Sequence, residues 1–288
     1  MKKAVVINDL SGFGKCSLTA AIPVLSVLGI QCVPLPTAVL TGQTGYEYYH
    51  CTDLTDMMPL YIDAWKKNNA HFDAIYSGYM TGSAQIEHTL DFVDAFYKED
   101  TFLLVDPVMG DDGHVYSMYT DDHLAAMKKL SRKADLITPN LTEACLLADV
   151  DVHKTLSCQE SDTLLHAAQE IGMRLFSLAE KPQDIVITGI KCPHPDHPYI
   201  YNIAISGGTP YITRSHFFNR SFSGTGDLFA SAMCGLRLCG IPTCNAMEQT
   251  QEFLQKGIEA TMQDHIPAND GIHFEKYLGT LMKGVSQL

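Results

Sequence analysis

Short apolar runs alternate along this chain with longer segments in which apolar positions recur every three or four residues. The short runs predict buried strands and the longer segments predict amphipathic helices, because the two structures repeat their faces every 2 and every 3.6 residues. Strands are predicted at 4–8, 31–39, 73–79, 102–107, 135–140 and 184–189, with a hairpin over 198–217 that turns at Gly207-Gly208. Helices are predicted at 16–29, 54–69, 86–98, 123–134, 141–148, 163–179, 224–239, 245–263 and 274–283.

This alternation of strands and helices favours a mostly parallel sheet covered by helices on both faces. Two prolines, Pro34 and Pro36, fall in the second strand and predict an edge or irregular position for it. No linker rich in Gly, Ser or Pro and no internal repeat interrupts the sequence. We therefore predict a single doubly wound α/β domain over residues 1–288, with a Rossmann-like arrangement.

Polar residues follow the apolar strands at several places along the chain. They are Asn8-Asp9, Ser77-Gly78-Tyr79, Asp106, Thr138-Pro139-Asn140 and Thr188. Ligands of open parallel sheets bind beyond the carboxyl ends of the strands. We therefore expect these residues to converge on one binding crevice.

Composition and charge narrow the classes of partner. The formal net charge of -13 disfavours a nucleic-acid backbone as a partner. Nine cysteines are scattered without paired spacing, which is typical of a reducing compartment. The first residues, MKKAVVINDLSGFGK, carry too short an apolar run for a signal peptide, and no segment is apolar enough to span a bilayer. The sequence predicts a cytoplasmic protein that binds no membrane.

The stretch RSFSGTGDLFASAMCGL, at 220–236, places Gly224-Thr225-Gly226-Asp227 at the start of an apolar helix. Glycines let the backbone approach another group closely, and the first amides of a helix point outward without internal partners. Together they predict an anion site, most often for phosphate. An aspartate beside an anion is unfavourable unless it has to accept a proton, so the stretch indicates proton transfer next to a phosphate.

The stretch GFGKCS, at 12–17, resembles two nucleotide motifs and matches neither. A P-loop requires a glycine where Asp9 stands and Ser or Thr where Cys16 stands. The dinucleotide fingerprint requires a third glycine where Ser17 stands. A tight turn from strand to helix accounts for Gly12 and Gly14.

Acidic and amide side chains in the middle of the chain suit a hydrated cation. VDPVMGDDG, at 105–113, puts Asp106 at a strand end and Asp111 in a glycine loop, as Mg²⁺ bridging phosphates would require. ITPNLTEA, at 137–144, contributes Asn140 and Glu143, which are spaced either to cap a helix or to hold water around a metal. Each acid taken alone is equally explained as a cap or a turn residue.

The order of these motifs resembles the ribokinase-like superfamily of small-molecule kinases, and within it the pyridoxal/pyridoxamine kinase branch. The matching stretches are TGQTGY (41–46), SGYM (77–80), DPVMGDDG (106–113), ITPNLTEA (137–144) and GTGDLFA (224–230). The stretches occur in one order over most of the chain, so together they are far more specific than any one of them.

The resemblance implies a role for each matching residue. Asp227 corresponds to the catalytic base, and the amides of Gly224, Thr225 and Gly226 to the anion hole for the transferred phosphoryl group. Residues implied at the ATP site are Asp106, Thr188, Tyr116 and Phe229, and those implied at the Mg²⁺ site are Asp111, Asn140 and Glu143. Thr44 and Tyr79 match positions that line the pyridoxal pocket.

The resemblance implies ATP-dependent phosphorylation of the 5'-hydroxymethyl group of a B6 vitamer, with Mg²⁺ and a monovalent cation such as K⁺ as cofactors and a homodimeric assembly. Asp9-Leu10 departs from the Ser-His of that branch, and DLSGFGK reads more like the hydroxymethylpyrimidine kinases of thiamine synthesis. At the end of the first strand, Asp9 is either a ligand of the substrate ring or a turn residue. The alternatives are therefore a hydroxymethylpyrimidine kinase and a catalytically silent nucleotide or vitamer binder.

Overall fold

The structure, a computed structural model, describes residues 1–116, 119–158, 160–192 and 198–285. The strands are β1 (Lys3–Phe13), β2 (Gln31–Gly42), β3 (Cys51–Asp53), β4 (Ala74–Ser77), β5 (Phe102–Val105), β6 (Gly110–Asp111), β7 (His114–Val115), β8 (Leu136–Ile137), β9 (Asp184–Cys192), β10 (Tyr199–Ser206) and β11 (Thr209–His216). The α-helices are α1 (Ser17–Val27), α2 (Met58–Lys67), α3 (Ser83–Phe96), α4 (Asp121–Lys133), α5 (Leu141–Leu147), α6 (Val152–Leu156), α7 (Ser161–Leu178), α8 (Thr225–Leu238) and α9 (Thr243–Gln263). The predicted α/β class is confirmed.

The chain divides into two compact units. The first is formed by Met1–Leu104 and Ser221–Leu288, and the second by Val105–Arg220. Each unit has its own buried apolar residues, and neither is a repeat of the other. The prediction of a single domain over the whole chain stays a prediction.

The first unit is built on a parallel core of strands. Its strand order is β5-β4-β1-β2-β3, in which β1 pairs in parallel with β2 and β4. On its other side β2 pairs only over Ala38–Leu40, with the short antiparallel β3. Pro34 and Pro36 precede the segment that pairs with β3. Because proline has no backbone N–H, this position means that neither residue breaks a hydrogen bond to β3. The predicted edge or irregular position thus fits only the first half of β2, because β3 is the edge strand of the sheet.

The second unit has the strand order β11-β10-β9-β8. β8 and β9 are parallel, whereas β9, β10 and β11 are antiparallel neighbours. The predicted hairpin turns at Gly207 and Gly208, whose φ angles of 56° and 76° are those of a glycine-rich two-residue turn. Two short strands, β6 and β7, form a separate hairpin at 110–115.

Several predicted elements differ from the structure. The strands predicted at 4–8 and 184–189 continue to Phe13 and Cys192. The strand predicted at 135–140 shortens to Leu136–Ile137, because Asn140 already serves as the N-cap of α5. The helix predicted at 274–283 is a 3-10 helix, Glu275–Met282, with Gly279 in its middle, and glycine disfavours a continuous α-helix. Over the described ranges, no helix combines the length and the apolar character needed to cross a bilayer.

Candidate active site

Gly224 begins α8 in a conformation that only glycine accommodates. It is the N-cap of the helix with φ of 79°, in the left-handed region. A Cβ atom added here would lie 1.8 Å from the main-chain oxygen of Lys15. The backbone before α8 therefore packs directly on the loop that precedes α1, and the first of the two glycines is required by the fold.

Gly226 is different, because the fold does not require a glycine there. A Cβ atom added to it would meet no atom within 4 Å, and its φ lies outside the left-handed region. The Thr225 hydroxyl donates a hydrogen bond back to the Phe222 carbonyl at 3.0 Å. Gly226 itself is exposed, so the first turn of α8 is accessible to a ligand on this side, as an anion-binding helix N-terminus requires.

The Asp227 carboxylate, in the first turn of α8, is held by donors from two other elements. Asn8 Nδ2 donates to Asp227 Oδ1 at 3.0 Å, and the Ser17 backbone N–H donates to the same carboxylate. Burial raises the pKa of Asp227 to about 6, and the nearby charge of Asp9 adds to the rise while the two donors oppose it. A carboxylate with this pKa is ionised at neutral pH and can accept a proton.

Asn8, at the end of the buried part of β1, is fully buried. Its Oδ1 accepts hydrogen bonds from the backbone N–H groups of Asp9 at 3.0 Å and Tyr79 at 2.9 Å. These two donors define which end of the amide is oxygen, so the NH₂ end is the one that faces Asp227.

Asp9 lies inside the unit and is 4% exposed. Ser11 Oγ donates to its Oδ2 at 2.7 Å, and Ser17 Oγ donates to its Oδ1. Burial raises the pKa of Asp9, and these hydroxyl donors oppose the rise. Both carboxylate oxygens therefore have partners within the protein, and contact between Asp9 and a substrate ring stays a prediction.

Thr44 and Tyr79 belong to the same unit as Asp227. Thr44 is exposed on a segment that is held on both sides, since Gln43 Nε2 donates to the Asn269 carbonyl at 3.2 Å and Asn269 Nδ2 donates to the Gly45 carbonyl at 2.6 Å. The Tyr79 main chain is anchored by Asn8, and burial raises the pKa of its phenol to about 12, with the charge of Asp9 contributing. Tyr79 is therefore a neutral hydroxyl at physiological pH.

In the second unit, Asn140 and Glu143 form a reciprocal capping box at the start of α5. The Glu143 backbone N–H donates to Asn140 Oδ1 at 3.0 Å, and the Asn140 backbone N–H donates to Glu143 Oε2 at 2.9 Å. Glu143 Oε1 accepts from the Met109 N–H at 3.0 Å, and Asn140 Nδ2 donates to the Gly110 carbonyl at 2.7 Å. Burial raises the pKa of Glu143 to about 8. The pair thus fixes the main chain that leads into Asp111.

Asp111 and Asp106 are the other acids of this unit. The Asp112 backbone N–H donates to Asp111 Oδ1 at 2.8 Å, and partial burial raises the pKa of Asp111, with the charge of Asp112 adding to the rise. Lys191 Nζ lies 2.7 Å from both carboxylate oxygens of Asp112. Asp106 is 7% exposed and accepts a hydrogen bond from the Thr138 hydroxyl at 3.1 Å.

Three other residues predicted at the ATP site have distinct surroundings. Thr188 forms a parallel bridge with Asn140, and its N–H donates to the Pro139 carbonyl at 2.9 Å. The predicted strand end at Thr188 is wrong, because Thr188 lies within β9, which continues to Cys192. Tyr116 is 44% exposed. Phe229 is only 5% exposed among the apolar residues of α8, where its ring contributes to packing. Nucleotide contacts by these three residues stay predictions.

The sequence placed Asn8 at the crevice but did not predict that Asn8 and Ser17 contact the Asp227 carboxylate. Asn8 had a visible signal, because it is a polar residue directly after the apolar run AVVI. Ser17 had none, since its backbone N–H rather than its residue type contacts Asp227, and its φ of 50° is unusual for serine. Both contacts join segments that are far apart in the sequence.

Comparison with known proteins identifies the class of this chain as small-molecule kinases with the ribokinase-like fold. A family model described as phosphomethylpyrimidine kinase matches residues 18–271. The chain belongs to that family.

Relatives within this class include pyridoxal kinases. The chain is 27% identical to the pyridoxal kinase of Corynebacterium diphtheriae over 267 residues, which cover 88% of each protein. It is 35% identical to a candidate phosphomethylpyrimidine kinase of Bacteroides thetaiotaomicron solved with pyridoxal, with a TM-score of 0.89 over 100% of this chain and 97% of the other. The pyridoxal kinase of Lactobacillus plantarum is 26% identical, with a TM-score of 0.87 over 98% and 97% of the two chains.

Proposed function

We propose that this protein transfers the γ-phosphoryl group of ATP to the 5'-hydroxymethyl group of a B6 vitamer, namely pyridoxal, pyridoxamine or pyridoxine. Asp227 takes the proton of the hydroxyl group, the resulting oxygen forms the new bond to phosphorus, and ADP leaves with the electrons of the broken bond. The observation that carries the proposal is the Asp227 carboxylate, with its pKa of about 6, in the same helical turn as the open space at Gly226. Phosphoryl transfer requires this pairing of a proton acceptor with an anion site.

The names of relatives favour B6 vitamers as acceptors. Curated relatives from bacteria, fungi and mammals are named as pyridoxal kinases, and the Bacteroides thetaiotaomicron protein was solved with pyridoxal. Thr44 and Tyr79 stand where the resemblance puts the pyridoxal pocket. Hydroxymethylpyrimidine is the second candidate acceptor, because the family model carries the name of phosphomethylpyrimidine kinase.

The non-enzyme alternative is a silent binder of nucleotide or vitamer. A silent binder has no use for an ionised aspartate beside an anion site, because the negative charge weakens anion binding. Incubation of the purified protein with ATP, Mg²⁺ and pyridoxal tests the alternatives through release of ADP. Release that depends on pyridoxal supports the kinase, and its absence with every vitamer supports the silent binder.

For nucleotide binding, we propose that the ATP site includes Asp106, Thr188, Tyr116 and Phe229. Among the described residues, no three His, Cys, Asp or Glu side chains are grouped to hold a metal by themselves. Mg²⁺ commonly keeps several waters and uses one or two carboxylates together with substrate phosphates. This pattern fits the chain if Asp111 ligates the ion, which would neutralise phosphate charge.

Asn140 and Glu143 would support the Mg²⁺ site indirectly. Their side-chain oxygens already accept hydrogen bonds from backbone N–H groups. They are therefore better placed to hold the main chain at residues 109–110 than to coordinate Mg²⁺ directly. A monovalent cation such as K⁺ remains part of the proposal on the resemblance alone.

We further propose a cytoplasmic homodimer. The nine cysteines, all among the described residues, form no disulfide, which suits a reducing compartment. Several apolar side chains of β1, β2 and the segment that follows are exposed, among them Phe13 at 62%, Val39 at 43% and Tyr48 at 84%. A two-fold pairing through this side would cover them, and two-fold dimers are the commonest assemblies. Static light scattering at micromolar concentration should give twice the chain mass of 31.8 kDa, and a monomer would contradict the dimer.

A further inference from the structure

We infer that Asn8 is a positioning residue for Asp227 and that Gly78 is a glycine in order to make room for Asn8. The inference rests on the proposed function, because it takes Asp227 as the base. It gives the SGYM stretch at 77–80 a second role besides lining the proposed substrate pocket, which is to hold the catalytic carboxylate in place.

The Asn8 side chain has one stable orientation. Its Oδ1 accepts two backbone N–H groups, from Asp9 and Tyr79, at 3.0 and 2.9 Å. A flipped amide would put its NH₂ group against both of these donors, inside a fully buried site. Buried donors without acceptors are costly, so the flip is excluded. Nδ2 therefore always faces Asp227 Oδ1, at 3.0 Å.

Gly78 packs against the other side of this amide. A Cβ atom added at Gly78 would lie 2.4 Å from Asn8 Nδ2 and 2.7 Å from Asn8 Cγ. The φ of Gly78 lies outside the left-handed region, so the backbone itself accepts alanine. The obstacle to a side chain at position 78 is the Asn8 amide, and any residue larger than glycine would push Nδ2 away from its place.

Ser17 forms the second support of the carboxylate. Its backbone N–H donates to Asp227 while its hydroxyl donates to Asp9, and its φ of 50° presents both groups at once. The titratable groups facing Asp227 are thus Asp9 and Cys16. Burial raises the pKa of the Cys16 thiol to about 12, and the carboxylates of Asp227 and Asp9 add to the rise, so Cys16 is neutral.

The arrangement predicts opposite changes in the pH dependence of two variants. Asn8→Ala removes a donor that favours the ionised carboxylate, so the pKa of Asp227 rises and the acidic limb of the kcat profile moves to higher pH. Asp9→Asn removes a like charge, so the same limb moves to lower pH. On its pH-independent plateau, Asn8→Ala should have a kcat lower by roughly tenfold, as loss of a hydrogen bond to a charged group implies.

A double-mutant cycle separates positioning from general damage. Gly78→Ala should lower kcat and shift the acidic limb much as Asn8→Ala does, because it displaces the same amide. In the Asn8→Ala background, Gly78→Ala should add little, since the amide it would strike is gone. Gly82→Ala is the matched control: its added Cβ meets no atom within 4 Å, its φ of -178° suits any residue, and kcat and pH profile should stay those of the wild type.

Asn8→Asp keeps the shape of the side chain and serves if the alanine variant does not fold. It replaces the NH₂ donor with an oxygen beside Asp227, and we expect a larger upward shift of the acidic limb than for alanine. The inference would be overturned if the Asn8 variant that folds had the kcat and pH profile of the wild type. It would also be overturned if the losses from Asn8→Ala and Gly78→Ala simply added in the double mutant.

The inference and the proposed function fail in different ways. If Asp227→Asn is inactive while the Asn8 variants behave as the wild type, the inference alone is wrong. If Asp227→Asn itself turns over at the wild-type rate, the assignment of the base is wrong.

Discussion

Asp227→Asn is expected to lower kcat by roughly 10²–10⁴, the usual contribution of a general base. Asparagine is nearly isosteric and keeps an oxygen that accepts hydrogen bonds, but it cannot take the proton of the attacking hydroxyl. The KM for ATP should change little, because the substitution leaves the proposed nucleotide-binding residues in place. Initial rates of ADP release at varied ATP and varied acceptor measure both quantities.

The pH profile gives this prediction a second readout. The base must be ionised to accept a proton, and the pKa of Asp227 is about 6, so the wild-type kcat should rise through about pH 6 and then level off. The residual activity of Asp227→Asn should lack this limb. Asp56→Asn is a suitable control, because Asp56 is an exposed acid of the same unit. Near-normal turnover in Asp227→Asn would contradict the assignment of the base.

Gly226→Val is expected to lower kcat by roughly 10²–10³, comparable to the loss of a donor that stabilises developing charge. The added side chain would project into the open space beside the first turn of α8, where the transferred phosphoryl group is proposed to lie. Because a Cβ atom here meets nothing within 4 Å, the free energy of unfolding should change by about 1 kcal/mol or less, the scale of helix propensities. Steady-state kinetics tests the expected loss of kcat, and urea unfolding tests the expected small change in the free energy of unfolding.

Gly224, the other glycine at the start of α8, is expected to behave differently from Gly226. Gly224→Ala places a Cβ atom 1.8 Å from the Lys15 carbonyl oxygen at a φ of 79°, so this variant should lose stability as well as activity. If Gly226→Val bound and turned over both substrates normally, no phosphoryl group would approach this helix turn. A variant at position 226 that unfolded like Gly224→Ala would also contradict the account, because it would mean that the glycine serves the fold.

Local patterns predicted most of the elements that surround the site. The apolar run AVVI and the residues after it mark β1, and Asn140 with Glu143 has the spacing of the capping box that the structure contains. The residue types alone were enough to place Gly224-Thr225-Gly226 at a helix N-terminus. These features depend on neighbours within one turn or one strand, which is why a single sequence is enough to predict them.

The contacts that set the chemistry of Asp227 could not be predicted in the same way. The register of β1 shifts between Asn8 and Leu10, and this irregularity decides which side chain faces the base. The Asn8 amide meets Gly78, and the Ser17 N–H meets Asp227, only after distant segments have packed together. For Asp9 the residue type suggested a ligand of the substrate ring, whereas packing supplied Ser11 and Ser17 as hydroxyl partners for its oxygens.

The acceptor is the central claim, and the comparison of kcat/KM among acceptors tests it most directly. The wild-type protein, saturated with ATP and Mg²⁺, would be assayed with pyridoxal, pyridoxamine, pyridoxine and hydroxymethylpyrimidine under one set of conditions. The account predicts the highest kcat/KM for a B6 vitamer, with pyridoxal or pyridoxamine ahead of the pyrimidine. A higher kcat/KM for hydroxymethylpyrimidine would contradict the B6 assignment and leave only the class of small-molecule kinase.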